Sequence, residues 1–357
     1  MFPQRVAMLF SPQDVGTAAT TVIDMDLLDP VSRLFIKFKA WNADSTNIEV
    51  PMANVTKVEL VDGSDVLWTL TGKAVDAVSF FDRKKPELHS FSYVAAYGNE
   101  SMLCLNFGRF PFDTMYALDP TRFRNLQLKV THDENACNAG TVQNELTVWA
   151  EIFSGRKISP VGFFQVKEQY AYTPTVGGYE ELELPTDFPL RTLYVQALLD
   201  DGYLGSEIGE FRLDEDNLKN IFYDGNYSEL MRLFRPEFGK YEHKVFAYAG
   251  DTLSEFNTAP SQELCLTCTP LGTTEYFVAI EHQFGCANAV IADTATNVHI
   301  YASGYMPHGI GAIPFGDRQV PEDWYDPRNV GKLRLRLQGG AGATGTYRIM
   351  TQQVRNY

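Results

Sequence analysis

Hydrophobic and polar residues alternate along most of this chain, and a pattern with a period of two predicts β-strands. The clearest run is KLRLRLQ at 332–338, in which Leu333, Leu335 and Leu337 face one side and Arg334 and Arg336 face the other. Similar runs, rich in β-branched and aromatic residues, predict further strands over 34–41, 55–60, 101–107, 126–130, 146–153, 162–170, 191–199, 276–284 and 297–305. Asp-Gly and Gly-Gly pairs separate the runs, as expected for turns.

Helical signals in the sequence are short. Asp119-Pro120 and Asp326-Pro327 each predict an N-cap followed by proline at the first helical position. Residues 227–234 and their counterpart 74–81 predict one or two helical turns. Because no long amphipathic helix is predicted, parallel α/β folds are disfavoured, and many short strands between turns indicate an all-β chain of sandwiches.

The same β-rich unit occurs twice in the chain. Residues 55–81 align with 208–234 at a constant offset of 153. This block pairs Val58 with Phe211, Leu60 with Leu213, Gly72 with Gly225 and Phe81 with Phe234. Other blocks follow in the same order: Pro30, Arg33 and 34–38 with Pro189, Arg191 and 192–196; Phe107-Gly108 with Phe315-Gly316; Asp119-Pro120 with Asp326-Pro327; and 126–130 with 333–337. Alternation alone makes strands look alike, so the duplication is inferred from the shared order of the blocks.

A repeat this long predicts two tandem domains and not a solenoid. Phe81 and Leu126 are 45 positions apart, whereas Phe234 and Leu333 are 99 apart. The second copy therefore carries an insertion, which we place broadly at 240–305 because surface loops accept extra residues without disturbing the core. The polar segment 154–161 is interpreted as the linker, so the first domain spans 1–157 and the second 158–357.

Composition and charge restrict the function. The chain has 357 residues, 45% hydrophobic and 13% aromatic, with a formal net charge of −15. An acidic surface repels phosphate, so sequence-specific nucleic-acid binding is not expected. No apolar run is long enough to span a membrane, and the N-terminus lacks the apolar core of a secretory signal. Five cysteines are few and odd in number, which disfavours a disulfide scaffold and fits a reducing compartment.

Two motifs suggest chemistry, and each has a structural alternative. Residues 340–345 match GxGxxG, but a dinucleotide site needs a helix next, and the remaining residues have the pattern of a strand, so a hairpin loop is favoured. Cys265, Cys268, His282 and Cys286 have a spacing that fits zinc. Against zinc, Cys265 and Cys268 lie in a strand-like run and would face opposite sides, and buried free cysteines are common small hydrophobes.

No catalytic residue and no cofactor site is predicted. The six histidines, His89, His132, His243, His282, His299 and His308, are isolated along the chain, with no H-x-H pair of the kind a metal-binding barrel uses. Nor is there a G-x-S-x-G nucleophile elbow. Asp200-Asp201 and Glu180-Glu181 are adjacent carboxylates, whereas glycoside hydrolysis needs two that face each other across a cleft.

Taken together, these features resemble the double jelly-roll major capsid proteins of tailless icosahedral viruses, bacteriophages among them. Two β-sandwich units lie in tandem, each opening with a strand marked by proline and arginine and each with a strongly alternating strand near its end. Each also has a short helical segment headed by Asp119-Pro120 or Asp326-Pro327. The likeness runs from about residue 7 to 357 but includes no diagnostic short motif. It implies two eight-stranded jelly rolls with short helices and a large loop insertion in the second.

The resemblance also implies a structural role without enzymatic activity. Three copies would form a pseudo-hexagonal capsomer of an icosahedral virion shell, made in the host cytoplasm, with the insertion as an acidic outward tower. The implied partners are the other copies, neighbouring capsomers, penton and minor capsid proteins and, where one is enclosed, an internal viral membrane. Two other classes stay open: a two-domain jelly-roll protein that acts on or binds carbohydrate, and a spike or adhesin subunit.

Overall fold

The computed structural model describes residues 4–43, 50–137, 141–155, 157–197, 204–249, 254–270, 278–291 and 296–357. The strands and helices of the first unit are β1 (Gln4–Asp14), β2 (Ala18–Asp24), β3 (Val31–Asn42), β4 (Val55–Asp62), β5 (Asp65–Leu70), α1 (Gly72–Arg83), β6 (Phe91–Tyr93), β7 (Gly98–Asn106), β8 (Leu126–Asp133) and β9 (Thr141–Phe153). Short 3₁₀ turns lie at Pro51–Asn54 and Pro120–Arg122. The sheets of this unit have the strand orders β1-β9-β3-β7 and β2-β8-β4-β5.

The second unit begins with β10 (Gly162–Tyr172), β11 (Tyr179–Leu184), β12 (Leu190–Ala197), α2 (Leu204–Glu207), β13 (Ile208–Glu215), β14 (Asn220–Asn226) and α3 (Tyr227–Phe238). It ends with β21 (Ile310–Pro314), 3₁₀ turns at Pro321–Asp323 and Pro327–Asn329, β22 (Leu333–Gly339) and β23 (Tyr347–Asn356). Its strand orders are β10-β23-β12-β21 and β11-β22-β13-β14.

The two units have the same topology, strand for strand. Replacing β1, β9, β3 and β7 by β10, β23, β12 and β21 converts the first sheet order into the second, and the other pair of sheets matches in the same way. The irregularities match too, because a register shift lies between Met8 and Phe10 in β1 and between Glu168 and Tyr170 in β10. The predicted double jelly roll, two tandem eight-stranded sandwiches, is confirmed.

The insertion of the second unit lies between α3 and β21 and consists of strands: β15 (Tyr241–Ala249), β16 (Ser254–Asn257), β17 (Pro260–Pro270), β18 (Val278–Gln283), β19 (Cys286–Ile291) and β20 (Thr296–Pro307). They form two small sheets, β17-β20-β15-β6 and β16-β19-β18. The first unit thus contributes β6, which pairs in parallel with β15. In sequence, residues 241–307 carry seven acidic side chains and one basic side chain, Lys244.

Alternation in the sequence becomes alternation of burial. Leu333, Leu335 and Leu337 are buried, whereas Arg334 and Arg336 lie on the other face, as predicted. The equivalent strand β8 shows the same pattern. At 25–30 cal/mol per Å² of apolar area removed from water, these repeated leucine and valine stripes are a major source of each core's stability. Both predicted N-caps are also present, since the carboxylates of Asp119 and Asp326 accept hydrogen bonds from the backbone N–H of Thr121 and Arg328.

The two helices are longer than the one or two turns predicted for them. α1 and α3 each have twelve residues. α1 begins at the N-cap Thr71, whose side chain accepts a hydrogen bond from Ala74, and ends at Lys84 in the left-handed region. Ten of its twelve residues are buried, against three in α3. Tertiary burial, which local pattern does not reveal, explains the added length of α1.

Strand pairing corrects the sequence alignment at three positions. The loop between β13 and β14 is two residues longer than the loop between β4 and β5, so the offset grows from 153 to 155 before the helices begin. Gly72 is therefore not equivalent to Gly225, nor Phe81 to Phe234. In addition, β3 and β12 share a register shift that makes Ser32, not Arg33, the counterpart of Arg191.

We propose 157/158 as the boundary between the units, because it lies between the end of β9 and the start of β10. In the described part of the chain, no helix has both the length and the apolar character needed to cross a membrane.

Candidate functional site

The two sandwiches join through a single continuous sheet. β5 of the first unit lies parallel to β10 of the second, with Thr69 opposite Lys167, so four strands from each unit form one eight-stranded sheet. Side chains of the second unit also enter the hydrophobic core of the first, among them Val166, Tyr194 and Met350. The units therefore share a core and are not independent domains joined only by a linker.

Helix α1 lies at this junction and carries two buried carboxylates into it. Asp82, near the end of α1, accepts hydrogen bonds from the guanidinium groups of Arg191 and Arg318, each at 2.6 Å. The amide of Gln352 donates to the same carboxylate at 3.1 Å. Arg191 is fully buried, and burial together with the charge of Arg318 lowers the pKa of its guanidinium to about 10. This group is called the arginine cluster below.

The second carboxylate, Asp76, lies in the middle of α1. Its two oxygens contact Nε2 of His89 and Nε2 of His308, both at 2.9 Å, and one also accepts a hydrogen bond from the Tyr241 hydroxyl at 2.7 Å. Burial raises the pKa of Asp76, but the charge of His89 and the hydrogen bonds from His308 and His89 outweigh burial and hold it well below its usual value. The group is called the histidine cluster below.

His243 completes the histidine cluster but makes no polar contact there. Its ring packs edge-on against Phe91, with ring centroids 5.0 Å apart, and against Tyr241 at 5.7 Å. Neither ring nitrogen has a hydrogen-bond partner among the described residues. Burial, reinforced by the nearby His89, lowers the pKa of His243 to about 3. Burial likewise lowers the pKa of His308, against the hydrogen bond and charge of Asp76.

Neither cluster has a signal in the sequence. His89, His243 and His308 are isolated along the chain, yet the fold brings them together from the loop after α1, from β15 and from the turn before β21. Asp82, Arg191 and Arg318 are similarly far apart along the chain. Both clusters are almost sealed from solvent, so a substrate has no access to the Asp76 carboxylate. Both clusters therefore serve to hold the two units together.

The motif residues are dispersed. Residues 340–345 connect β22 directly to β23, without the helix that a dinucleotide site needs. Cys265, exposed, and Cys268 lie on β17, Cys286 is buried on β19, and the His282 side chain lies outside the described residues, as does the pair Asp200-Asp201. Among described side chains, no three metal-binding groups are placed to hold an ion. Zinc binding by these four residues stays an untested alternative. Glu181 pairs with Arg334 at 3.1 Å on the outer face of β11.

The fold matches solved structures along its whole length. The major capsid protein P2 from bacteriophage PM2 aligns over 99% of this chain and 98% of its own, with a TM-score of 0.57 and 9% identity. The STIV MCP aligns over 98% and 96%, with a TM-score of 0.60 and 9% identity, and a chain of the PBCV-1 virus capsid over 98% and 93%, with a TM-score of 0.59 and 10% identity. The chain has the double jelly-roll fold. No protein-family model and no curated protein matches its sequence.

The alignments cover 93–98% of these capsid proteins, so neither this chain nor those neighbours has a large unaligned region. At 9–10% identity the agreement lies in topology and not in side chains. The fold expected from the resemblance is thereby confirmed.

We expect Asp82→Asn to destabilise the protein by about 3–5 kcal/mol, because it leaves two arginines at the junction without their anion. The measurement is the urea midpoint, followed by tryptophan fluorescence at one protein concentration. Glu237→Gln is the matched control, since Glu237 is the exposed equivalent of Asp82 on α3 and should change stability by less than about 0.5 kcal/mol. Equal shifts for the two variants would contradict a fastening role for the arginine cluster.

We expect stability to fall as the pH drops below about 6.5, the ordinary histidine pKa. His243 and His308 have lowered pKa values in the folded chain, so the unfolded chain binds more protons in this range, and each histidine contributes a loss of up to about 1.4 kcal/mol per pH unit. For His243 the loss continues to about pH 3. Below pH 3.8, protonation of unfolded Asp76 adds to it.

Thermal melting from pH 7 to 4 measures this effect. His243→Phe keeps the aromatic contacts with Phe91 and Tyr241 and should make the melting temperature less dependent on pH. His299→Gln, at an exposed position on β20, should leave that dependence as it is in the parent chain. If the melting temperature of His243→Phe depended on pH as steeply as that of the parent chain, the proposed contribution of His243 to the pH dependence would be refuted.

Proposed function

We propose that this chain is a major capsid protein whose homotrimers form pseudo-hexagonal capsomers of an icosahedral virion shell. The observation that carries the proposal is the side-by-side duplication. Two sandwiches of one topology are joined through one sheet and a shared core. The whole fold aligns with 98% of the major capsid protein P2 of bacteriophage PM2 and with 96% of the STIV MCP.

The physical argument concerns symmetry. A rigid pair of equivalent units gives a ring of three chains six similar corners, and such a ring packs on a hexagonal lattice. A repeated contact between identical chains closes into a ring when its rotation divides a full turn. The arginine and histidine clusters support the required rigidity, because separating the units would break their buried ion pairs and hydrogen bonds.

The insertion β15–β20 is the proposed tower on the outer surface of the capsomer. Its acidic excess suits a surface exposed to solvent and disfavours contact with the genome. The remaining proposed partners are neighbouring capsomers, penton and minor capsid proteins and an internal membrane, and the proposed location is the virion. The proposed role is structural, without enzymatic activity. A protein that acts on carbohydrate would need an open cleft with two facing carboxylates. Neither the arginine cluster nor the histidine cluster forms such a cleft, which disfavours this alternative.

We expect the purified protein to be a trimer, with a mass about three times the 40.1 kDa chain by light scattering at micromolar concentration. Electron microscopy should show particles with a hexagonal outline. A monomer at that concentration would count against the capsid role. In virus particles that contain this protein, it should be the most abundant component, whereas a low copy number would favour a spike.

A further inference from the structure

The junction inside the chain has two sides, and each side occurs a second time without a partner among the described residues. One side consists of β5 and α1 of the first unit, whose topological equivalents are β14 and α3. The other side is the outer face of the sheet β10-β23-β12, whose equivalent in the first unit is β1-β9-β3. Within the part of the chain that the structure describes, β1 pairs with β9 alone and β14 with β13 alone. Both are therefore open edge strands, which carry unpaired backbone groups.

The surface formed by β14 and α3 carries exposed apolar side chains at the positions that are buried in β5 and α1. Leu67 of β5 and Val78 of α1 are buried in the shared core. Their equivalents, set by the offset of 155, are Phe222, which is 37% exposed, and Leu233, which is 70% exposed. A large exposed apolar patch on a soluble chain marks an interaction surface.

The side formed by β1, β9 and β3 shows the same contrast. Val166, Tyr194 and Met350 are fully buried at the junction. Strand pairing makes their first-unit equivalents Val6, Phe35 and Trp149. Val6 is 60% exposed, and the two aromatic side chains are half-buried on the same outer face.

We propose that two copies of this chain bind by repeating the contact that joins the two halves of one copy. β14 and α3 of one copy pack on β1 and the outer face of the first unit of the next copy. This inference rests on the proposed capsomer and specifies the contact within it. The two open edges become one parallel strand pair, and the exposed apolar side chains of both surfaces leave water.

The register of the contact follows from the chain itself. Thr69 lies opposite Lys167 at the internal junction. Asp224 is the equivalent of Thr69, and Ala7 is the equivalent of Lys167. Asp224 of one copy therefore lies opposite Ala7 of the next.

The internal and external contacts differ in charge. The positions of Arg191 and Arg318 are occupied by Ser32 and Phe110 in the first unit, so the arginine cluster is not duplicated. Phe110 is exposed and adds to the apolar surface. The contact between copies thus relies on apolar burial and strand pairing, and it forms between chains that fold first.

Cysteine crosslinking tests the register. Ala7→Cys and Asp224→Cys, in a chain whose exposed Cys265 is replaced by serine, bring two thiols to adjacent strands. Neighbouring strands lie about 4.8 Å apart, within the range for a disulfide. We expect oxidation to yield linked dimers and trimers on a non-reducing gel. Thr69→Cys with Lys167→Cys is the positive control and should link within one chain. Ala7→Cys with Leu88→Cys, the latter at a site 89% exposed outside the contact, should give no ladder.

A second variant tests the energetics. Leu233→Asp should convert trimers to monomers by light scattering without changing the circular dichroism spectrum, whereas Leu88→Asp, at a position that is also open to solvent, should leave the trimer intact. If the double variant Ala7→Cys, Asp224→Cys forms trimers whose chains do not link on oxidation, this inference is overturned and the proposed function stands. Trimers that persist in Leu233→Asp would also overturn this inference and leave the proposed function standing. A parent chain that is monomeric would overturn both.

Discussion

Helix α1 is the element on which the rest of the structure depends, because it carries two negative charges into the boundary between the sandwiches. Asp82 binds the arginines of the second unit, and Asp76 binds a histidine from each unit. A buried carboxylate is tolerable only when its partners are in place, since an unpaired charge in the interior costs several kcal/mol. The orientation of one sandwich relative to the other is therefore tied to these contacts.

Duplication and divergence together explain the chain's architecture. The two units retain their strand order, two N-capped Asp-Pro turns and even the position of register shifts. They differ in the surfaces that meet. The first unit's helix is buried by its surroundings, whereas the second unit's helix presents Leu233 to solvent. One copy of the contact surface is buried inside the chain and the equivalent copy is exposed, so the exposed copy is available to bind another chain in the same way.

The insertion adds a second connection between the units. β6, from the first unit, pairs with β15, and Tyr241 at the start of β15 donates to Asp76. The insertion is thus built on the junction. Protonation of the histidine cluster would affect the contact between the units and the base of the insertion at once, since His243 lies on β15 and His308 follows β20.

Much of the fold was predictable because the burial of a strand follows the alternation of its residues. The alternation in 332–338 and the repeated Asp-Pro pairs identified strands, caps and the doubled unit, all of which are local or periodic signals. The predicted lengths of α1 and α3 were too short, and for α1 the reason is tertiary burial, which a local pattern does not record. The predicted counterparts of Gly72, Phe81 and Arg191 were wrong, because a two-residue loop difference and a shared register shift are invisible without strand pairing. The clusters around Asp76 and Asp82 had no signal at all.

The sequence by itself determined the all-β class, the duplication and the acidic character, since each depends on residue type and order alone. The tertiary structure decided which of two equivalent surfaces is buried and which isolated histidines and arginines meet. Such contacts join residues far apart in sequence, as with Asp76 and His308. Their free energy arises from burial and pairing in space, which no periodicity along the chain records.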